Sequence, residues 1–169
     1  MDLSHLADEA VRGTREFVVE RRHTTTVFGE QTDPPGLPAA ADSTPDEHRH
    51  VLGTPHLLAA CEFTGRESLH GLLPDGTGTV GEHAEVTHRG AAPEGARIRV
   101  ETVVRRVDGP SVHLDASVSR VDGERGDGTG DDHHAESDGR ATENDPRPVG
   151  EVAMTFRVVS RERFGDALE

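Results

Sequence analysis

Glu62 and His88 are polar side chains set into otherwise apolar patterns, and a carboxylate with an imidazole is a pair that transfers protons. On a helical period Leu58, Gly65 and Leu69 lie on the side of Glu62, so its carboxylate points toward an apolar stripe. Burying an unpaired carboxylate is costly and calls for a partner or a task. The alternative is a helix-edge Glu that reaches water or pairs with Arg66. His88 shares a strand face with Val86 and Ala84; alone it reads as a satisfied core His, and with Glu62 opposite it completes a proton-transfer pair. Thr54 precedes Pro55 and reads as a helix N-cap. Eight residues at a rise of ~1.5 Å put it about 12 Å along the helix axis from Glu62. The two cannot touch within one straight helix, so either a substrate bridges them or a second subunit completes the site.

Other reactive types carry less. Cys61 faces a helix interior with no base nearby and reads as a buried thiol. Gly76 to Gly81 satisfies G-x-G-x-x-G, but a dinucleotide fingerprint needs a strand before it and a helix after, and here the order is reversed. His48-Arg49-His50 and Asp131-Asp132-His133-His134 lie in loops without ligating spacing, so no metal is expected. No G-x-S-x-G or Walker pattern occurs.

The elements that must position these residues follow from periodicity. Phe17 to Phe28 is rich in β-branched and aromatic residues and predicts a first strand. Gln31 to Arg49, with four prolines, predicts a loop. A helix is predicted from Thr54 to about Leu73, with Leu57, Leu58, Cys61, Leu69 and Leu72 as its stripe and Pro74-Asp75-Gly76 as its stop. From Thr79 the period becomes two. Val80, Ala84, Val86 and His88 are expected on one face; Ile98, Val100, Thr102 and Val104 form the next inner set; Val112, Leu114, Ala116 and Val118 follow after an Asp108-Gly109 hairpin signal. The last strand buries Val152, Met154, Phe156 and Val158. Asp122 to Pro148 has almost nothing apolar and reads as a disordered surface insertion in a single domain spanning 1–169. A helix followed by antiparallel strands is an α+β arrangement.

Acidic residues outnumber basic ones 32 to 18, all 18 are Arg, and the formal charge is −14. Nucleic acid and anionic membranes both need a positive field, so neither is an expected partner. An acidic, Lys-free surface is what molar salt selects, because counter-ions screen the self-repulsion. A single Cys excludes an intrachain disulfide, no apolar run approaches the ~20 residues of a membrane span, and Met1 to Arg15 lacks an apolar h-region. The expected setting is a reducing, very salty cytoplasm.

Three blocks carry a family resemblance: VLGTPHLLAACE at Val51 to Glu62, TVGEHAEVTHRGAAPEGARIRVETVV at Thr79 to Val104, and VGEVAMTFRVVSRERF at Val149 to Phe164. They resemble the hot-dog thioesterases related to fluoroacetyl-CoA thioesterase. The family's helix-start Thr falls on Thr54, its helix Glu on Glu62, its strand His on His88, and the Gly of its strand entry on Gly81. Relatives commonly read Gly-Thr-His-x-Arg on the last strand, where this chain has Met154 and Phe156.

The resemblance implies a hot-dog fold, a curved antiparallel sheet wrapped around one central helix, and hydrolysis of a small or medium acyl-CoA thioester. Thr54, Glu62 and His88 would be catalytic and Gly81 substrate-binding, with no cofactor beyond the CoA of the substrate. It also implies a homodimer or higher homo-oligomer. The rival is a hot-dog module that binds acyl-CoA or another ligand without turning it over. A hydratase of the same fold is less favoured, because no Asp and His lie close together as those enzymes require.

Overall fold

The computed structural model describes residues 2–26, 50–121 and 146–166. A short helix α1 (His5–Asp8) leads into β1 (Arg12–Val18), a 3-10 turn (Arg21–His23) and β2 (Thr24–Thr26). After the undescribed segment come β3 (His50–Leu52), the helix α2 (Thr54–Ser68), the strands β4 (Thr77–His88), β5 (Arg97–Asp108), β6 (Ser111–Arg120) and β7 (Arg147–Ser160), and a last turn of helix α3 (Arg161–Asp166). Five strands form one antiparallel sheet in the order β1-β5-β6-β7-β4, and β2 pairs with β3 alone.

Helix α2 packs on the inner face of this sheet. Its buried residues are Leu57, Ala60, Cys61, Thr64 and Gly65, at the i, i+3, i+4, i+7 spacing of a helix with one apolar side. Gly65 sets how closely helix and sheet approach: a Cβ there would stand 3.0 Å from the Phe156 ring and 3.3 Å from Leu114. The one buried hydroxyl in the stripe, Thr64, donates to the Ala60 carbonyl at 2.7 Å. The expected inner sets of β5, β6 and β7 are buried as predicted, Met154 and Phe156 included. These last two positions therefore serve core packing.

Several expectations need correction. The first strand begins at Arg12, earlier than Phe17, and breaks at Val19 into the 3-10 turn; Phe28 and the Gln31 to Arg49 loop lie outside the described residues. Helix α2 ends at Ser68 rather than Leu73. There the amides tighten to i→i+3 bonds, Leu69 to Arg66 and His70 to Glu67, and Gly71 takes φ +79°, which stops propagation. Leu72 is consequently 39% exposed. The hairpin loop is Gly109-Pro110, with Gly109 at φ +57°. Strand β7 starts at Arg147, inside the expected insertion, whose residues 122–145 lie outside the described part. Among the described residues, no helix is long and apolar enough to cross a membrane.

Strand β4 departs from simple alternation. Gly81 pairs with Phe156 and His83 with Thr155, so Glu82 is an extra residue in the ladder. A bulge reverses the facing of everything before it. Gly81 thus joins Ala84, Val86 and His88 on the helix side, and Val80, expected there, faces the other way. Glu82 is held outward by Arg157 at 2.7 Å and Ser111 at 3.3 Å, and the Arg157 hydrogen bond draws its carboxyl below the usual range.

Candidate active site

The start of α2 is capped by Gly53 (φ −77°, ψ 143°), with Thr54 and Pro55 as the first helical residues. The Thr54 side chain is therefore released from the N-cap role expected of it. Its Oγ1 lies 3.0 Å from Nδ1 of His88, the last residue of β4. The other ring nitrogen, Nε2, lies 3.1 Å from the Gly90 carbonyl oxygen. A carbonyl only accepts, so Nε2 carries the imidazole proton and Nδ1 presents a lone pair to which the Thr54 hydroxyl donates. Thr54 is exposed and His88 half-buried, which leaves this hydroxyl within reach of a ligand.

Gly90 was not singled out from the sequence. A Cβ at this position would come within 2.5 Å of the Pro148 carbonyl oxygen, so only glycine fits. The N–H groups of Arg89 and Gly90 both donate to Val149 O, at 2.8 and 3.0 Å. This clamp against β7 fixes the carbonyl that orients His88.

Glu62 sits two turns further along α2, half-buried. Its carboxylate lies over Gly81: a Cβ there would stand 3.5 Å from Oε1, 3.7 Å from Cδ and 3.9 Å from Oε2. The bulge at Glu82 makes this contact possible, and no periodicity signalled it. Arg66 makes no ion pair with Glu62. The structure therefore forms two pairs, Thr54 with His88 and Glu62 with Gly81, where the sequence suggested Glu62 opposite His88. Because α2 and β4 run antiparallel, the pairs stand at successive levels of one helix and strand interface. The separation along the helix is the ~12 Å anticipated from the rise.

A second cluster, also unforeseen, braces the first turn of α2. His56 stacks on His23 with ring centroids 4.0 Å apart and an interplanar angle of 17°, and Phe17 meets both rings edge-on at 5.7 Å. Burial, then the nearby His23 and Arg22, push the His56 pKa down to about 4, against a smaller opposing effect of Glu20. His23 is likewise lowered, first by burial. Both rings are thus neutral near pH 7, which suits a position at a helix N-terminus, where positive charge is unfavourable. The Cys61 thiol is pushed up to about 12 by burial, so it is a core group and not a nucleophile. Among the described residues no group of three or more His, Cys, Asp or Glu is placed to hold a metal ion.

No curated protein sequence matches the chain. Solved structures do. A thioesterase superfamily member from Thermus thermophilus superposes with TM-score 0.63 at 17% identity, covering 93% of this chain and 87% of that one. A hot-dog-like protein from Thermanaerovibrio acidaminovorans gives 0.62 at 18% identity, with 99% and 95% coverage. The fluoroacetyl-CoA thioesterase FlK gives 0.61 at 20% identity, with 93% and 91% coverage. These likenesses establish the hot-dog fold. The family profile described as "Fluoroacetyl-CoA-specific thioesterase" matches residues 38–131, more than half of the 169 residues and including Thr54, Glu62, Gly81 and His88. The chain belongs to the fluoroacetyl-CoA-specific thioesterase family.

Proposed function

We propose that the protein hydrolyses a small or medium acyl-CoA thioester to the free acid and CoA. The observation that carries this reading is the 3.0 Å contact of Thr54 with His88 on the same helix and strand that set Glu62 against Gly81. Glu62 acts at the thioester carbonyl in one of two ways. As general base it takes a proton from the attacking water and returns it to the CoA sulfur as the C–S bond breaks. As nucleophile it expels CoA thiolate to give a mixed anhydride that water then hydrolyses, the proton of that water going to the thiolate. Gly81 leaves the space above the carboxylate open for the reacting carbonyl. Thr54, its proton committed to His88, offers a lone pair to water or substrate, and His88 takes up the proton that passes through the hydroxyl. Pro55 has no N–H and the Leu57 N–H is taken by Gly53 O at 3.0 Å, so the first-turn amides left to stabilise an oxyanion are those of Thr54 and His56.

The active unit is a homodimer. Strand β4 is a sheet edge, and its run from Gly81 to Glu85 is exposed, a surface that another strand can pair with. Antiparallel pairing of two β4 edges about a two-fold through Glu85, with Glu82 passed over as the extra residue as it is in the β7 ladder, keeps inner faces matched and sets Gly81 opposite His88 of the partner subunit. The two residue pairs, separate within one chain, then face each other across the interface. With a net charge of −14, such pairing needs screening, which fits a salty cytoplasm. The test is thiol release from a panel of acyl-CoAs in molar salt. Release that Glu62→Gln abolishes supports hydrolysis; tight acyl-CoA binding without release supports the binding module.

A further inference from the structure

Beyond Glu62, away from Thr54 and His88, a groove of about 880 Å³ opens between the end of α2 and the beginning of β4. Its walls include Phe63, Arg66, His70, Gly78 and Thr79. The groove continues the face that carries Glu62. Arg66 lies one helical turn from Glu62, about 6 Å along the axis. Thr79 lies two residues before Gly81 on the same side of β4, about 6.5 Å away, and because helix and strand are antiparallel the two steps run in the same direction.

The charges here are distributed unequally. Arg15 is held by Glu67 at 2.8 Å, while Arg66 is exposed and makes no ion pair among the described residues. The remaining acid of the groove, Asp75, belongs to the turn beyond α2. Phe63, 54% exposed, adds an apolar wall beside this guanidinium. A thioester carbonyl placed over Gly81 would send a short carbon chain past Phe63 and bring an anionic end to Arg66. A carboxylate on the acyl chain and a phosphate of CoA share the chemistry a guanidinium recognises. The pantetheine arm, however, is several times longer than one helical turn, so its phosphates overshoot this position.

Resting on the thioesterase reading, we propose that Arg66 is a specificity residue that selects short acyl groups ending in a carboxylate, the dicarboxylic acyl-CoAs. The experiment compares succinyl-CoA with butyryl-CoA, equal in chain length, on the wild type and on Arg66→Gln, by thiol release. In parallel, binding of both thioesters and of free CoA to Glu62→Gln, with and without Arg66→Gln, is measured by calorimetry. The expected result is a wild-type kcat/KM at least about tenfold higher for succinyl-CoA, and an Arg66→Gln variant whose preference falls about tenfold through KM. A wild-type ratio near one, or a ratio that Arg66→Gln leaves unchanged, overturns the proposal. Arg66→Gln that weakens free CoA as much as succinyl-CoA also overturns it, by assigning Arg66 to a phosphate. Should no thioester be hydrolysed, the thioesterase reading fails separately: tighter, Arg66-dependent binding of succinyl-CoA then still supports the selection of the carboxylate, and equal binding of the two thioesters refutes it.

Discussion

The Thr54 hydroxyl donates to Nδ1 of His88 at 3.0 Å across 34 residues of sequence, tying the first turn of the central helix to the end of the edge strand. Thr54→Ser keeps the donor, whereas Thr54→Val keeps the shape and removes it. Since Thr54 is exposed, neither change should move the melting temperature by more than about 2 °C. Thiol release should survive in Thr54→Ser and fall at least about tenfold in Thr54→Val. Equal activity in the two variants would leave the hydroxyl without a role.

Gly81→Ala tests the second pair. A methyl at 3.5 Å from Glu62 Oε1 makes ordinary contact, so the fold should accept it. The methyl fills the space above the carboxylate, and kcat/KM should drop about tenfold or more while circular dichroism stays unchanged. Full activity in Gly81→Ala would move the reacting carbonyl elsewhere.

Most of the fold was legible because β5, β6 and β7 keep a period of two where their inner sets lie, Ile98 to Val104, Val112 to Val118 and Val152 to Val158, and α2 carries its apolar stripe. Thr54, Glu62 and His88 stood out as polar residues in those patterns or through family resemblance. Their pairing was not legible. The bulge at Glu82 leaves no mark in hydrophobicity, since the residues around it on an edge strand are exposed whichever way they face. Gly53 displaced Thr54 as the cap because its extended backbone suffices there, and nothing local announces that the Thr hydroxyl is needed by His88. Gly90 and the stack of His56 on His23 depend on chain segments brought together only by folding. One signal was available for Gly90: a glycine two residues after the candidate catalytic His that ends the strand.

The stacked imidazoles make stability depend on pH with a definite sign. His56 titrates at about 4 in the folded protein and near 6.5 when unfolded, so between these values the unfolded chain binds the additional proton. Stability is therefore fully present above about pH 6.5 and is lost as the pH falls toward 4. The melting temperature should decline by a few degrees across this window. In His56→Asn the decline should be shallower, and an unchanged slope would mean that another group dominates.

Charge repulsion at −14 and the exposed β4 edge together predict salt-dependent assembly. Light scattering should find a dimer in molar salt and a shift toward monomer at low ionic strength. Replacing Ala84 with Pro, which disrupts edge pairing, should favour monomer and lower thiol release together. A fully active monomer in molar salt would place the complete site within one chain.

Glu62→Gln decides the central claim, because it keeps the shape and hydrogen-bonding capacity of the side chain over Gly81 while removing the basic oxygen. Thiol release from the best acyl-CoA should fall by about 10² or more with the fold and acyl-CoA binding preserved. His88→Ala should fall comparably, and the double variant should be little worse than either alone, since groups that act as a unit are not additive. Near-normal thiol release by a folded Glu62→Gln protein would contradict the catalytic assignment and leave the hot-dog domain as a binder of acyl-CoA.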